Sequence, residues 1–207
     1  TSGGHWYEAA ELPDGSTLLA AGEVAGHGPA RTADTATLLG ALRGVALTGA
    51  GPGELLDVLG QVVAASTPRT PMVSALCCRI PPGSRSVVWA QAGHAAPLLF
   101  RAGGGRSLGH PAGHLLGAPR DIGHAEHRTA LAPGDLLVLR AGGPVPAAPD
   151  AGAAREAADA LLPLAPRFAG VAGARQAARV VREAARTGAG GGVPGGADAL
   201  LLALVRG

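Results

Sequence analysis

Three apolar stretches, MVSALCCRI (72–80), SVVWAQAG (86–93) and PLLFRA (97–102), are separated only by PPGSR and HAA. Each reads as a strand. Links this short cannot hold a parallel crossover, which needs about a dozen residues or more, and are the length that antiparallel neighbours allow. The middle of the chain is thereby committed to antiparallel sheet. On either side, HWYEAAEL (5–12) and TLLAAGEV (17–24) form a hairpin across the turn PDGS, and AEHRTALA (125–132) and DLLVLRA (135–141) form another across Pro133-Gly134. Residues 103–124, rich in glycine and histidine, read as loop, and DALLLALV closes the chain as a buried strand.

Helices fall between these strands. Residues 30–48 carry Leu38, Leu39, Leu42, Val45 and Ala46 at helical spacing, and TGAGPGE ends the run. Residues 53–66 carry Leu55, Leu56, Val58, Leu59, Val62 and Val63. Two more helical stretches are expected at 151–164 and 172–187, followed by the flexible TGAGGGVPGG. The order is strand pair, helix pair, strands, helix pair, strand, which predicts an α+β fold with antiparallel sheets and helices on the outer faces. Evenly spread glycines and the lack of an internal repeat predict a single domain over 1–207.

Composition narrows the function classes. With 47% apolar and 15% charged residues, the chain is expected to pack a core. The net charge of +2 is scattered, all cations are arginine, and aromatics make up 2%, so a nucleic-acid interface is not expected. The absence of lysine, with 34 glycines and 17 prolines, matches the codon usage of a GC-rich genome. No apolar run reaches membrane-spanning length and no leader pattern opens the chain, so a cytoplasmic protein off the membrane is expected. Cys77 and Cys78 are adjacent, hence on opposite faces of a strand, and are read as small apolar residues rather than a disulfide.

One stretch points to chemistry. In GEVAGHG (22–28), Glu23 ends a strand and is followed by Gly26, His27 and Gly28, whose backbone allows close approach to a ligand. This has the look of an ion site.

The stretches GGHWYEAAELPDG, GEVAGHG, PMVSALCCRI, QAGHAAPLL, LAPGDLLVLRAGG and ADALLLALV together resemble the SpoIIE-type branch of the PP2C-like (PPM) protein phosphatases. They occur in the family's order over nearly the whole chain, which lacks the family's usual opening strand. The resemblance implies a four-layer αββα sandwich, two mostly antiparallel sheets flanked by helix pairs. It also implies a pair of Mg²⁺ or Mn²⁺ ions that activate water against phosphoserine or phosphothreonine, held by aspartates at the ends of four segments.

Here those positions depart from the family. GGDWYD becomes GGHWYE, with His5 at an expected aspartate; Glu23 stands at the metal-bridging aspartate, and Val24 after it at a further metal position; TDG becomes AGG, with Gly142; and the closing DD becomes AD, with Ala197 and then Asp198. Gly26, His27 and Gly28 stand where phosphate or loop contacts are implied. His5 and Glu23 keep the family's separation of 18 positions. About four carboxylates offset two divalent ions; this set keeps Glu23, plus Asp198 if a one-residue shift lets it reach. Glutamate is one methylene longer than aspartate, and imidazole suits zinc or nickel better than magnesium. Without two ions, bound water keeps a pKa near that of bulk water and the nucleophile is lost.

The expectation is a pseudophosphatase: a regulatory, phosphoprotein-binding module with no cofactor bound, acting on a protein partner such as an anti-sigma-factor antagonist. The alternative is an active Mg- or Mn-dependent serine/threonine phosphatase with altered ligands, His5, Glu23 and Asp198 holding one ion. Other polar residues have plainer readings. His94 tethers a turn after its strand. His110, His114, His124 and His127 are loop histidines without a ligand pattern, Asp135 is a turn residue, and Trp6 and Tyr7 pack within their strand.

Overall fold

The computed structural model describes residues 4–25, 29–66, 72–109, 113–118, 123–141, 161–187 and 199–204. Among the described residues nine strands form two sheets. The strands are β1 His5–Glu11, β2 Thr17–Val24, β3 Val73–Ile80, β4 Ser86–Ala92, β5 Leu98–Arg101, β6 Gly104–Ser107, β7 His127–Ala130, β8 Leu136–Ala141 and β9 Ala199–Leu204. The first sheet has the order β1-β2-β3-β4-β7 and the second β6-β5-β8-β9. Each named strand pair is antiparallel.

The period of two along the strands sorts side chains into layers. On β2 and β3, Leu18, Ala20, Val73, Ala75 and Cys77 pack with the helices α1 (Pro29–Ala46) and α2 (Pro52–Ala65). Their neighbours Leu19, Ala21, Leu76 and Cys78 turn the other way, to meet Leu99, Leu137, Leu139 and Ala141 of the second sheet. Leu98, Phe100, Leu136 and Val138 cover that sheet's outer face and pack under α3 (Ala165–Phe168) and α4 (Ala174–Thr187). The result is the αββα sandwich expected from the sequence, with Cys77 and Cys78 on opposite faces as their adjacency requires.

Local chemistry sets the helices. Pro52 occupies the first turn of α2, where its missing N–H is no loss, after the extended Gly51. Leu55, Leu56, Leu59 and Val63 then fall on one buried face. In α4, Ala177, Val181 and Ala184 do the same.

Four expectations are corrected. First, the expected loop 103–124 contains β6, hairpinned to β5 through Ala102 (φ 48°) and Gly103 (φ 80°). Two consecutive left-handed residues make the turn that matches the strands' own twist. Alanine is strained there, so Ala102→Gly is expected to raise stability by about 0.5–1 kcal/mol and the melting temperature by about 1–3 °C; calorimetric melting of the two proteins checks it.

Second, 125–132 and 135–141 are not a hairpin: β7 joins the edge of the first sheet beside β4, while β8 sits between β5 and β9 in the second. β7 alternates half-buried and exposed residues, as an edge allows, whereas all six residues of β8 are buried. A strand buried on both faces takes neighbours on both sides. The turn at Pro133-Gly134 therefore carries the chain from one sheet to the other. So does His94-Ala95-Ala96: β4 and β5, read from the sequence as antiparallel neighbours, lie in different sheets. Asp135, wholly buried, fixes it by accepting the Ala132 N–H (2.7 Å) and the Arg101 Nε–H and Nη2–H (2.8 and 2.6 Å). Burial alone would push the Asp135 carboxyl up; the hydrogen bonds and charge of Arg101, with the Ala132 N–H, outweigh it and hold it below its usual value.

Third, of the helix expected at 151–164 only the last four positions are described. They form a turn and a 3₁₀ turn, Leu162–Leu164, leading into the short α3. Pro163 and Pro166 each fit a first turn, so the chain starts helix twice here. Fourth, Tyr7 does not pack: it is 58% exposed on the edge strand β1, while Trp6 is buried on the other face.

Candidate functional site

The turn between β1 and β2 decides which residues meet at the far end of the hairpin. Asp14 Oδ1 accepts the Ser16 N–H (3.0 Å) and hydroxyl (2.6 Å), and Gly15 takes φ 78°. Those Ser16 bonds, helped by Arg79, hold the Asp14 carboxyl down at about 2. Arg79 of β3 locks the turn from the side, donating to Asp14 Oδ2 at 2.6 Å. With the turn fixed, the register runs Glu11 opposite Thr17 to His5 opposite Glu23. The separation of 18 positions read in the sequence thus becomes a direct cross-strand pair. The next strand continues the row, with Ser74 opposite Glu23.

His5 Nδ1 and Glu23 Oε2 stand 3.9 Å apart, both side chains 17% exposed. That is too long for a hydrogen bond, and His5 Nδ1 has no hydrogen-bond partner. At the other end of the row, His94 is buried between the sheets. Its Nε2–H donates to the Arg140 carbonyl on β8 (2.7 Å), which can only accept, so Nδ1 accepts the Ser74 hydroxyl (2.9 Å). Burial first, then the charges of Arg140 and His5, lower its pKa to about 4 against the opposing Arg140 hydrogen bond, and the ring stays neutral. The sequence reading of His94 as a tether is correct, and its reach is longer than a turn: it ties one sheet to the other.

Arg31 completes the arrangement and was missed in the sequence. It lies in the first turn of α1 and is buried, with its guanidinium against the backbone of Gly4 at the start of β1. A Cβ at Gly4 would collide with Arg31 Nη1 and with the Val24 carbonyl oxygen, so this position requires glycine. Burial pushes the Arg31 pKa down, while the charges of Glu23 and Asp34 pull it up. No sequence signal marks it, because an arginine early in an alanine-rich helix reads as solvated.

Gly26, His27, Gly28, Gly142, Ala197 and Asp198 lie outside the described residues. Their described neighbours Ala141 and Ala199 are partners across β8 and β9, and both of those strands run against β1. The other histidines separate. His110 is outside the described residues. His124 donates from Nδ1 (2.7 Å) and its backbone N–H (3.0 Å) to Asp57 of α2, and its ring lies 4.3 Å from that of His114. Glu126 accepts the Gly53 N–H (3.0 Å) in the first turn of the same helix. These groups fasten the segment before β7 to α2. His127 is a strand residue rather than a loop histidine, its ring 4.8 Å from Trp89. Among the described residues no group of three or more histidine, cysteine or acidic side chains is placed to hold a metal ion, and no helix is long and apolar enough to cross a membrane.

Comparison with known proteins agrees with this architecture. The model of the family Stage II sporulation protein E (SpoIIE) matches residues 13–206. No curated protein sequence matches the chain. Among solved structures, the RsbU and RsbW domains of a Mycobacterium tuberculosis protein superpose with a TM-score of 0.67 at 25% identity, over 88% of this chain and 51% of that one. The PP2C phosphatase domain with a regulatory fragment of SpoIIE from Bacillus subtilis gives 0.72 at 12% identity, over 99% and 59%. The SiaA PP2C domain of Pseudomonas aeruginosa gives 0.68 at 20% identity, over 98% and 80%. The chain thus spans about half of the first structure's length and 59% of the second's. With the fold, the strand order of its motifs and the family match in agreement, the chain belongs to the SpoIIE family and has the fold of PP2C phosphatase domains.

Proposed function

We propose that this domain is a regulatory binding module that keeps the phosphatase fold without ordinary phosphatase turnover. The observation that carries the reading is the row end itself: one carboxylate, Glu23, beside an imidazole and within the field of a buried guanidinium. Hard divalent ions seek several carboxylate and water oxygens. A donor set of one imidazole and one carboxylate, or two with Asp198, already shared with a cation, does not fit two of them, and Gly142 and Ala197 bring no side-chain donor. No step through a metal is derived for this chain.

The partner we propose is a protein of the anti-sigma-factor antagonist class, phosphorylated or not, met in the cytoplasm. In support, one similar structure holds an RsbU domain together with an RsbW domain. The test pairs binding with turnover. The chain is titrated against a serine-phosphorylated antagonist protein and its unphosphorylated form by calorimetry, and phosphate release is followed with and without Mn²⁺. Binding without release is the expected result. Mn²⁺-dependent release at rates typical of enzymes, about 1 s⁻¹ or more, would instead establish the active reading with altered ligands.

A further inference from the structure

Arg31 sits where a cation does something specific. It is 7% exposed, and its Nε has no hydrogen-bond partner. Its Nη1 and the carbonyl oxygen of Val24 face the same small space beside Gly4, one residue from both His5 and Glu23. Val24 is itself held to Gly4, donating its N–H to the Gly4 carbonyl at 2.9 Å. Glu23 and Val24 are two of the positions at which the family resemblance places metal contacts. A guanidinium carries a permanent charge that no chelator removes and tolerates burial better than an ammonium. A carboxylate with such a neighbour has its countercharge built into the chain.

We propose that Arg31 is the resident cation of this site: its guanidinium neutralises Glu23 and faces the Val24 carbonyl in place of a divalent ion, so the end of the β1–β2 hairpin is held without metal. The proposal rests on the metal-free reading above, and explains what replaces the metal rather than only that it is gone.

The test is a double-mutant cycle on the full chain, read by thermal melting in chelator and across a Mn²⁺ series. Arg31→Met is expected to lower the melting temperature by roughly 4–10 °C, the size of effect expected when a buried polar group beside a partly buried carboxylate is removed. Adding Glu23→Gln should recover part of that loss, because the carboxylate left without its countercharge is then gone. Mn²⁺ should leave the unaltered chain and Arg31→Lys unchanged. It should raise the melting temperature of Arg31→Met, where the ion can take the vacated charge position, and not that of the double variant. If Arg31→Met does not fold, rescue of folding by Glu23→Gln supports the proposal and failure of rescue overturns it. Additive losses around the cycle, or a Mn²⁺ response in the unaltered chain equal to that of Arg31→Met, also overturn it. Turnover is read separately: Mn²⁺-dependent phosphate release defeats the binding-module reading, whereas an additive cycle in a chain without turnover defeats this proposal alone.

Discussion

His94→Leu is expected to lower the melting temperature by roughly 5–12 °C at pH 7.5 and to flatten the pH dependence of stability below neutrality. The first effect follows from two buried hydrogen bonds lost together. Leucine fills much of the ring's volume but leaves the Arg140 carbonyl and the Ser74 hydroxyl without their partner, one on each sheet. An unsatisfied buried polar group costs about 1–3 kcal/mol. The second effect follows from the direction of the shift. The folded protein holds the His94 pKa at about 4, while an ordinary histidine, as in the unfolded chain, has 6.5. Between those values the unfolded chain binds a proton that the folded chain refuses, so stability is full above about 6.5 and falls as pH drops toward about 4. A separation of about 2.5 units corresponds to roughly 3 kcal/mol at most. Carboxylates add their own losses at the acid end, so the informative window is about pH 5–6.5. Melting curves across it should slope for the unaltered chain and run nearly flat for His94→Leu. Equal slopes in both proteins would mean that other groups carry the titration.

Much of this fold could be read from strand patterning. β2, β3 and β8 are apolar on alternate or on all positions, and strands patterned this way have few ways to set their register. The 18-position separation of His5 and Glu23 also survived into the structure, because a hairpin converts sequence distance into register once its turn is fixed. Other features depended on information absent from any local window. Whether DLLVLRA pairs back on the preceding strand or crosses to the other sheet is decided by which neighbours bury both its faces. The turn at Ala102-Gly103 carries only half of the usual left-handed signal, since alanine rarely adopts positive φ. Tyr7 follows the strand's alternation but falls on the edge strand, where alternation no longer guarantees cover. At the site, the pairing of His5 with Glu23 could be read because each stands beside a recognisable stretch. Arg31 could not, since its importance comes from the backbone gap at Gly4 and from the charge of Glu23, which only the tertiary structure brings to it.

Restoring carboxylates is expected to bring metal binding back, and Arg31 sets how far. The changes are His5→Asp, Glu23→Asp, Gly142→Asp and Ala197→Asp, which return aspartate to the four positions at which the family resemblance places it. Made singly they should do little, because ligands of one ion cluster act as a unit. Made together they place several like charges near one another, so the variant should melt below the unaltered chain in chelator. Mn²⁺ should then stabilise it by mass action, by about 2.7 kcal/mol at a hundredfold excess over the dissociation constant, or roughly 5–10 °C. Arg31 opposes this as a fixed positive charge at the same strand end. Repulsion of about 1–2 kcal/mol across a partly buried site is about tenfold in affinity. Adding Arg31→Met should therefore shift the Mn²⁺ response to about tenfold lower concentration. Calorimetric titration of Mn²⁺ into the unaltered chain, the fourfold variant and the fivefold variant orders the three affinities. Equal affinity in the last two would show that the guanidinium does not compete with the ion. Tight Mn²⁺ binding by the unaltered chain would show that no added carboxylate was needed, because a site built from His5, Glu23 and their neighbours already sufficed.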